Sequence, residues 1–243
     1  MRHRAQFAGT VLFWAAAILV AIASARYFFP ALLRPSEVLL VRLHPFWVQL
    51  HLGGAIVATV AGLPQFVAAL RNSRPAVHRS FGYVYVIAVL LSGIAGMWLS
   101  PDTARFLAEG FRDGANDPAF RWLAPLIGVR PGEAYSDAQF TATIPSFFLL
   151  AVAWLITTGM AFTRARQRCF TDHRAWMMRS YSLTFGAFTV RIVAIALGLL
   201  TRAPVFSAIA ALWSWPLNLL VAEWLIRRKA QPALAMRAAR AGG

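Results

Sequence analysis

The chain has 243 residues, of which 59% are hydrophobic and only 14% charged, with a formal net charge of +15 and a single cysteine. That apolar content exceeds what a soluble core of this length can hide, so the composition excludes an ordinary soluble domain and predicts an all-α, polytopic membrane helix bundle. One cysteine, Cys169, excludes an intramolecular disulfide and a cysteine-rich metal centre.

Crossing a hydrocarbon core of about 30 Å takes roughly 20 apolar residues, and runs this long and unalternating suit helices. Six transmembrane helices are predicted. The first, 7–29, follows the basic start Met1–Arg4. Its Ala23-Ser24-Ala25 also matches the small-residue site of a cleavable signal peptide, but the run is longer than the usual apolar core of one; cleavage would leave five spans in the same orientation. The second, 46–70, repeats His44, His51, Ala58 and Gln65 every seven residues, with Gly54, Ala55 and Gly62 alongside. Small residues there allow a helix or a flat ligand to approach. Pro64 lacks a backbone donor, which predicts a kink and an orphaned carbonyl at Val60.

The third span, 81–99, continues a narrow stripe of His78, Gly82, Tyr85, Val89, Ser92 and Gly96. An extended outer loop, 101–142, mixes aromatic residues with charges and predicts short amphipathic helices at the interface. The fourth span, 144–162, has no histidine. The fifth, 175–200, begins within "TDHRAWMMRSYSLTFGAFTVR" (171–191), in which Asp172 is placed to cap the helix. His173 and Arg191, eighteen residues apart, fall on one face of a continuous helix and about 27 Å apart along it. An ionisable group within a span faces the protein interior or a wet cavity. Arg191 has no acid at its depth; a ligand, a carbonyl or an outer carboxylate such as Asp102 would neutralise it. The sixth span, 205–226, contains Glu223, level with Arg179 and a natural partner for a buried ion pair.

The arginines set the orientation. With the N-terminus inside, the inner loops carry Arg71, Arg74, Arg79, Arg164, Arg166, Arg168, Arg174, Arg227 and Arg228 against the lone acid Asp172, while seven acids dilute the outer segments. The positive-inside rule then gives an N-in, C-in protein of the bacterial inner membrane. Residues 1–229 form a single membrane domain, and 230–243 a loosely ordered basic cytoplasmic tail drawn to anionic lipid. The expected partner is the lipid bilayer rather than nucleic acid.

Spans 2–3 and 4–5 form a weak parallel repeat. Each unit descends past a glycine (Gly62, Gly159), crosses a basic turn and re-enters on a His-Arg pair, His78-Arg79 or His173-Arg174. Two basic loops alike by chance would give the same pattern. The series "HLGG" with Gly62 and Gln65, then "HRSFGYVY", then "DHRAWMMRSYSLTFGAFTVR", then "WP" followed by Glu223 resembles the bacterial integral membrane proteins grouped as domain of unknown function 2306. The resemblance covers about His51 to Glu223, with an expanded outer segment before the fourth span. It implies a membrane location and brings no established activity.

Two imidazoles from different helices at one depth suit a b-type haem, so His78 and His173 are candidate iron ligands, with Arg74, Arg79 and Arg174 for the propionates and the glycine stripes to admit the ring. His51, Gln65 and Arg191 are candidates for a quinone or substrate pocket. Simple anchoring of the His-Arg pairs to lipid phosphates accounts for the same residues. The alternatives are a small-anion transporter built on Arg191 and a non-catalytic partner of another membrane subunit or of lipid. No phosphate loop, nucleophile elbow or HExxH motif is present in the sequence.

Overall fold

The computed structural model of the chain describes residues 41–106, 137–201 and 206–241, with isolated positions in 14–29 and at 108–109. Among them no strand occurs. The helices are α1 (Pro45–Gly62), α2 (Ala68–Ser73), α3 (Pro75–Leu99), α4 (Thr143–Arg166), α5 (Phe170–Thr184), α6 (Gly186–Thr201) and α7 (Phe206–Ala241). Pro45 and Pro75 open α1 and α3 at the first turn, where a missing N–H costs nothing.

Pro45–Phe66, Pro75–Phe106 and Thr143–Arg166 are long and apolar enough to cross a membrane, and Phe170–Thr184 with Phe188–Thr201 forms a fourth crossing if the bent pair is one span. These correspond to predicted spans two to five. The first predicted span and the outer loop 101–142 lie largely outside the described residues. The sixth corresponds to the start of α7, which runs on as helix through the stretch expected to be a loose tail; its Ala, Arg, Leu and Met are good helix formers. Large apolar side chains point outward along α3, among them Tyr83, Ile87, Leu90, Ile94 and Trp98, as suits lipid contact.

Helix α1 packs antiparallel on α3, and the contacts descend in register. His44 meets Asp102 (3.1 Å), Trp47 stacks on Trp98, His51 meets Ser92, and Gln65 reaches the His78 carbonyl. His44 stands at the N-cap position of α1 without a side-chain cap bond and takes Asp102, the acid considered for Arg191. Helix α3 packs on α4, α4 on α5, and α5 closes back on α1. The result is a four-helix ring, with α7 packed outside it on α4, α5 and α6. Because α3 to α4 and α4 to α5 each reverse direction, α3 and α5 run parallel on the ring's diagonal. Tyr85, Val89, Ala58, Ala61, Trp154, Met177 and Tyr181 fill the centre.

Two local predictions differ from the structure. The fifth span is not one rod: α5 and α6 meet at Phe185 with a 51° bend, so His173 and Arg191 do not share a straight stripe. Asp172 does not cap α5, whose N-cap is Cys169 without a side-chain bond. It lies in the first turn, 3.9 Å from Arg164.

Candidate functional site

The break in α1 builds the first part of the site. Pro64 cannot donate to Val60, but the last turn tightens so that the Leu63 N–H reaches the Val60 carbonyl. The orphan is therefore displaced by one residue, to Thr59. Tyr181 of α5 donates its phenolic O–H to that Thr59 carbonyl at 2.8 Å, and its ring lies against Gly62, where a Cβ would collide with Cε2 and Cδ2. Phe66 and Phe185 flank the same ring. Proline, glycine and tyrosine thus act together, and the breaks of α1 and of α5–α6 meet at Tyr181.

Next to it lies a buried hydroxyl chain. Thr158 donates to the Trp154 carbonyl at 2.7 Å, which uses its only hydrogen. Ser180, 2.6 Å from Thr158, must then donate to it, and Tyr85, 2.7 Å from Ser180, must donate to Ser180. The donors run one way, Tyr85 to Ser180 to Thr158, and end on a carbonyl. Thr184 stands 3.3 Å from the Tyr85 oxygen. The chain ties α3, α4 and α5 together at the bundle centre.

The Tyr85–Ser180 bond also fixes the register of two parallel helices. His78 and His173 each precede these residues by seven positions, so both imidazoles lie at one depth, about 10 Å closer to the basic end of the bundle. His173 Nδ1 is 2.8 Å from the Ala161 carbonyl; a carbonyl only accepts, so Nδ1 carries the proton and Nε2 keeps its lone pair in the neutral ring. Metal-ligating histidines hold this arrangement. His78 Nδ1 is buried with no hydrogen-bond partner among the described residues. Arg74, Arg79 and Arg174 are exposed at the same end, Arg174 donating to the Phe170 carbonyl.

The expected glycine slot is not there. Gly54 meets Ser92 and Ala88, Gly82 faces Gln65, Gly93 meets Leu155 and Gly96 faces the His51 ring, so these small residues seat neighbouring side chains. His51 and Gln65 do not meet in one pocket either. His51 Nδ1 donates to the Ser92 carbonyl at 2.9 Å, and Ser92 Oγ donates back to the His51 carbonyl at 2.7 Å, which is helix packing. Gln65 lies fourteen residues further on, roughly 20 Å away along the helix, and is tied to the His78 carbonyl. Arg191 belongs to α6, but its side chain lies outside the described residues.

Outside the ring, α7 clamps the bent helix. Asn218 accepts from Thr189 of α6 (2.9 Å) and donates to the Ser182 carbonyl of α5 (3.1 Å), spanning the bend. Arg179 donates to Glu223 through Nε and Nη2 (3.1 and 2.6 Å), while Arg227 takes the other oxygen. Sequence reasoning did not single out Ser180, Thr158 or Asn218. Ser180 had a signal, since it follows His173 by the interval that separates Tyr85 from His78.

Among the described residues no three His, Cys, Asp or Glu side chains gather as a metal site. Apolar helices joined by buried hydroxyl and imidazole contacts define an integral membrane protein. The chain belongs to the family described as predicted membrane protein (DUF2306), whose model matches residues 48–111 and 133–226. The unmatched stretch between them falls in the outer segment that looked expanded. No curated protein and no solved structure matches the chain.

Proposed function

We propose that the chain is an electron-transfer protein of the bacterial inner membrane, N-in and C-in with six spans, holding one b-type haem between His78 and His173 at its cytoplasmic end. The observation that carries this is the register set by Tyr85 and Ser180, which puts imidazoles from diagonal helices of a four-helix ring at one level. Diagonal helices are the pair that a flat cofactor along the bundle axis would bridge. The donor set fits: His173 is oriented by the Ala161 carbonyl, and His78 carries a buried nitrogen with no partner among the described residues. The ring edge would face the cytoplasmic mouth, where α2 has no buried residue and Arg74, Arg79 and Arg174 suit propionates. Haem supplies one-electron chemistry when bound; the chain orients its histidines and closes the far side with the Tyr85 layer. A quinone or a second membrane subunit is the natural exchange partner in the bilayer.

The test is the absorbance spectrum of full-length protein expressed with excess haem precursor. A Soret band that is lost in both His78→Ala and His173→Ala is expected; colourless protein, or pigment that survives both changes, refutes the assignment. A second reading, a small-anion carrier using Arg191, draws on the two helix breaks that meet at Tyr181, because carriers place their sites at such breaks. It requires that Arg191→Ala abolish anion uptake by proteoliposomes without loss of folding.

A further inference from the structure

We infer that the foot of α7, with Arg179 of α5 beside it, is a binding site for the phosphate of an anionic phospholipid. Trp213, Leu217, Leu220 and Trp224 recur at helical spacing and are 64, 46, 66 and 53% exposed, so one apolar stripe runs down the outer face of α7. It ends on arginine. The Arg228 guanidinium lies 4.6 Å from the centre of the Trp224 ring, and Arg179 lies 4.7 Å from that of Trp176. Arg179 and Arg227 share Glu223.

Among the described residues three guanidinium groups therefore stand against one carboxylate, and the acid of α5, Asp172, is engaged by Arg164. The Trp224 indole covers one face of the Arg228 guanidinium and leaves its N–H edge for a ligand, and that edge matches a phosphate; the Nε–Nη2 edge of Arg179 is taken by Glu223. Basic pockets between membrane helices take anionic head groups in this way. The stripe above supplies the lane for an acyl chain, which a free phosphate would not use. The site shares no residue with the His78–His173 pair and stands whether or not haem binds there.

Full-length protein in neutral detergent is heated with phosphatidylglycerol, phosphatidylcholine or inorganic phosphate. Phosphatidylglycerol at saturation is expected to raise Tm by about 5–10 °C, with little shift from the other two. Arg227→Gln/Arg228→Gln, made at exposed positions, should keep the far-UV spectrum and lose the shift, and native mass spectrometry should show one fewer retained anionic lipid. An equal shift with phosphatidylcholine, or a phosphatidylglycerol shift that persists in the double variant, overturns the site. The same shift with inorganic phosphate overturns the lipid and leaves an anion site.

Discussion

Gly62→Ala tests the device that organises the bundle. Gly62 has φ −72°, a conformation open to any residue, so the position requires glycine only because the Tyr181 ring occupies the space of a Cβ. The added methyl must displace that ring, which is also held by Phe66 and Phe185. Overpacking of this kind costs about 1–3 kcal/mol. Moving the ring also strains or breaks the Tyr181 bond to Thr59, and such bonds inside membrane proteins contribute about 0.6 kcal/mol on average and up to about 1.7. Alanine recovers up to about 1 kcal/mol as the better helix former. The net expectation is a loss of about 1–4 kcal/mol, read by reversible unfolding in mixed detergent micelles. Tyr181→Phe keeps the ring and loses only the hydroxyl, so it should cost less, and the two changes together should be less than additive because they act on one contact. Gly62→Ala within about 0.5 kcal/mol of the parent, the range of surface changes, refutes the argument.

Tyr85→Phe removes the first donor of the hydroxyl chain and is expected to lower stability by about 0.6–1.7 kcal/mol, with Ser180→Ala non-additive in the same unfolding assay. Asn218→Ala deletes both straps across the α5–α6 bend; it should cost about 1–3 kcal/mol and speed hydrogen exchange at Ser182 to Thr189 before the rest of the bundle. Arg168, at φ 60° in the turn between α4 and α5, sits where a side chain is strained, so Arg168→Gly should raise stability by up to about 1 kcal/mol. An unchanged or lower midpoint for that variant contradicts the strain.

Much of the helical layout is legible because apolar runs of membrane length leave little choice of structure. Spans two to five are recovered as helices, and Pro64 marks a true break. What the sequence conceals is how the break is repaired. The orphan carbonyl is set by the tightening of a single turn, and its partner, Tyr181, is more than a hundred residues away in the chain. The bend at Phe185 has no proline to announce it; it is held by Asn218 on another helix, a contact that periodicity within the fifth span cannot reveal. The glycine stripes show the limit of composition alone. A small residue records that something comes close, and only packing shows that the neighbours are Ser92, Leu155, Gln65 and Tyr181 rather than a ligand.

The direction of the hydroxyl chain constrains any redox chemistry at the basic end. A relay passes a proton when each hydroxyl can receive one while giving another away, and so needs an exchangeable group at both ends. Here the last hydrogen, on Thr158, rests on a backbone carbonyl, and the Tyr181 hydroxyl ends on another at Thr59. Neither carbonyl can hand a proton onward. The layer of Tyr85, Tyr181, Ser180 and Thr158 therefore links the helices, and its described bonds end on backbone carbonyls rather than on an exchangeable group.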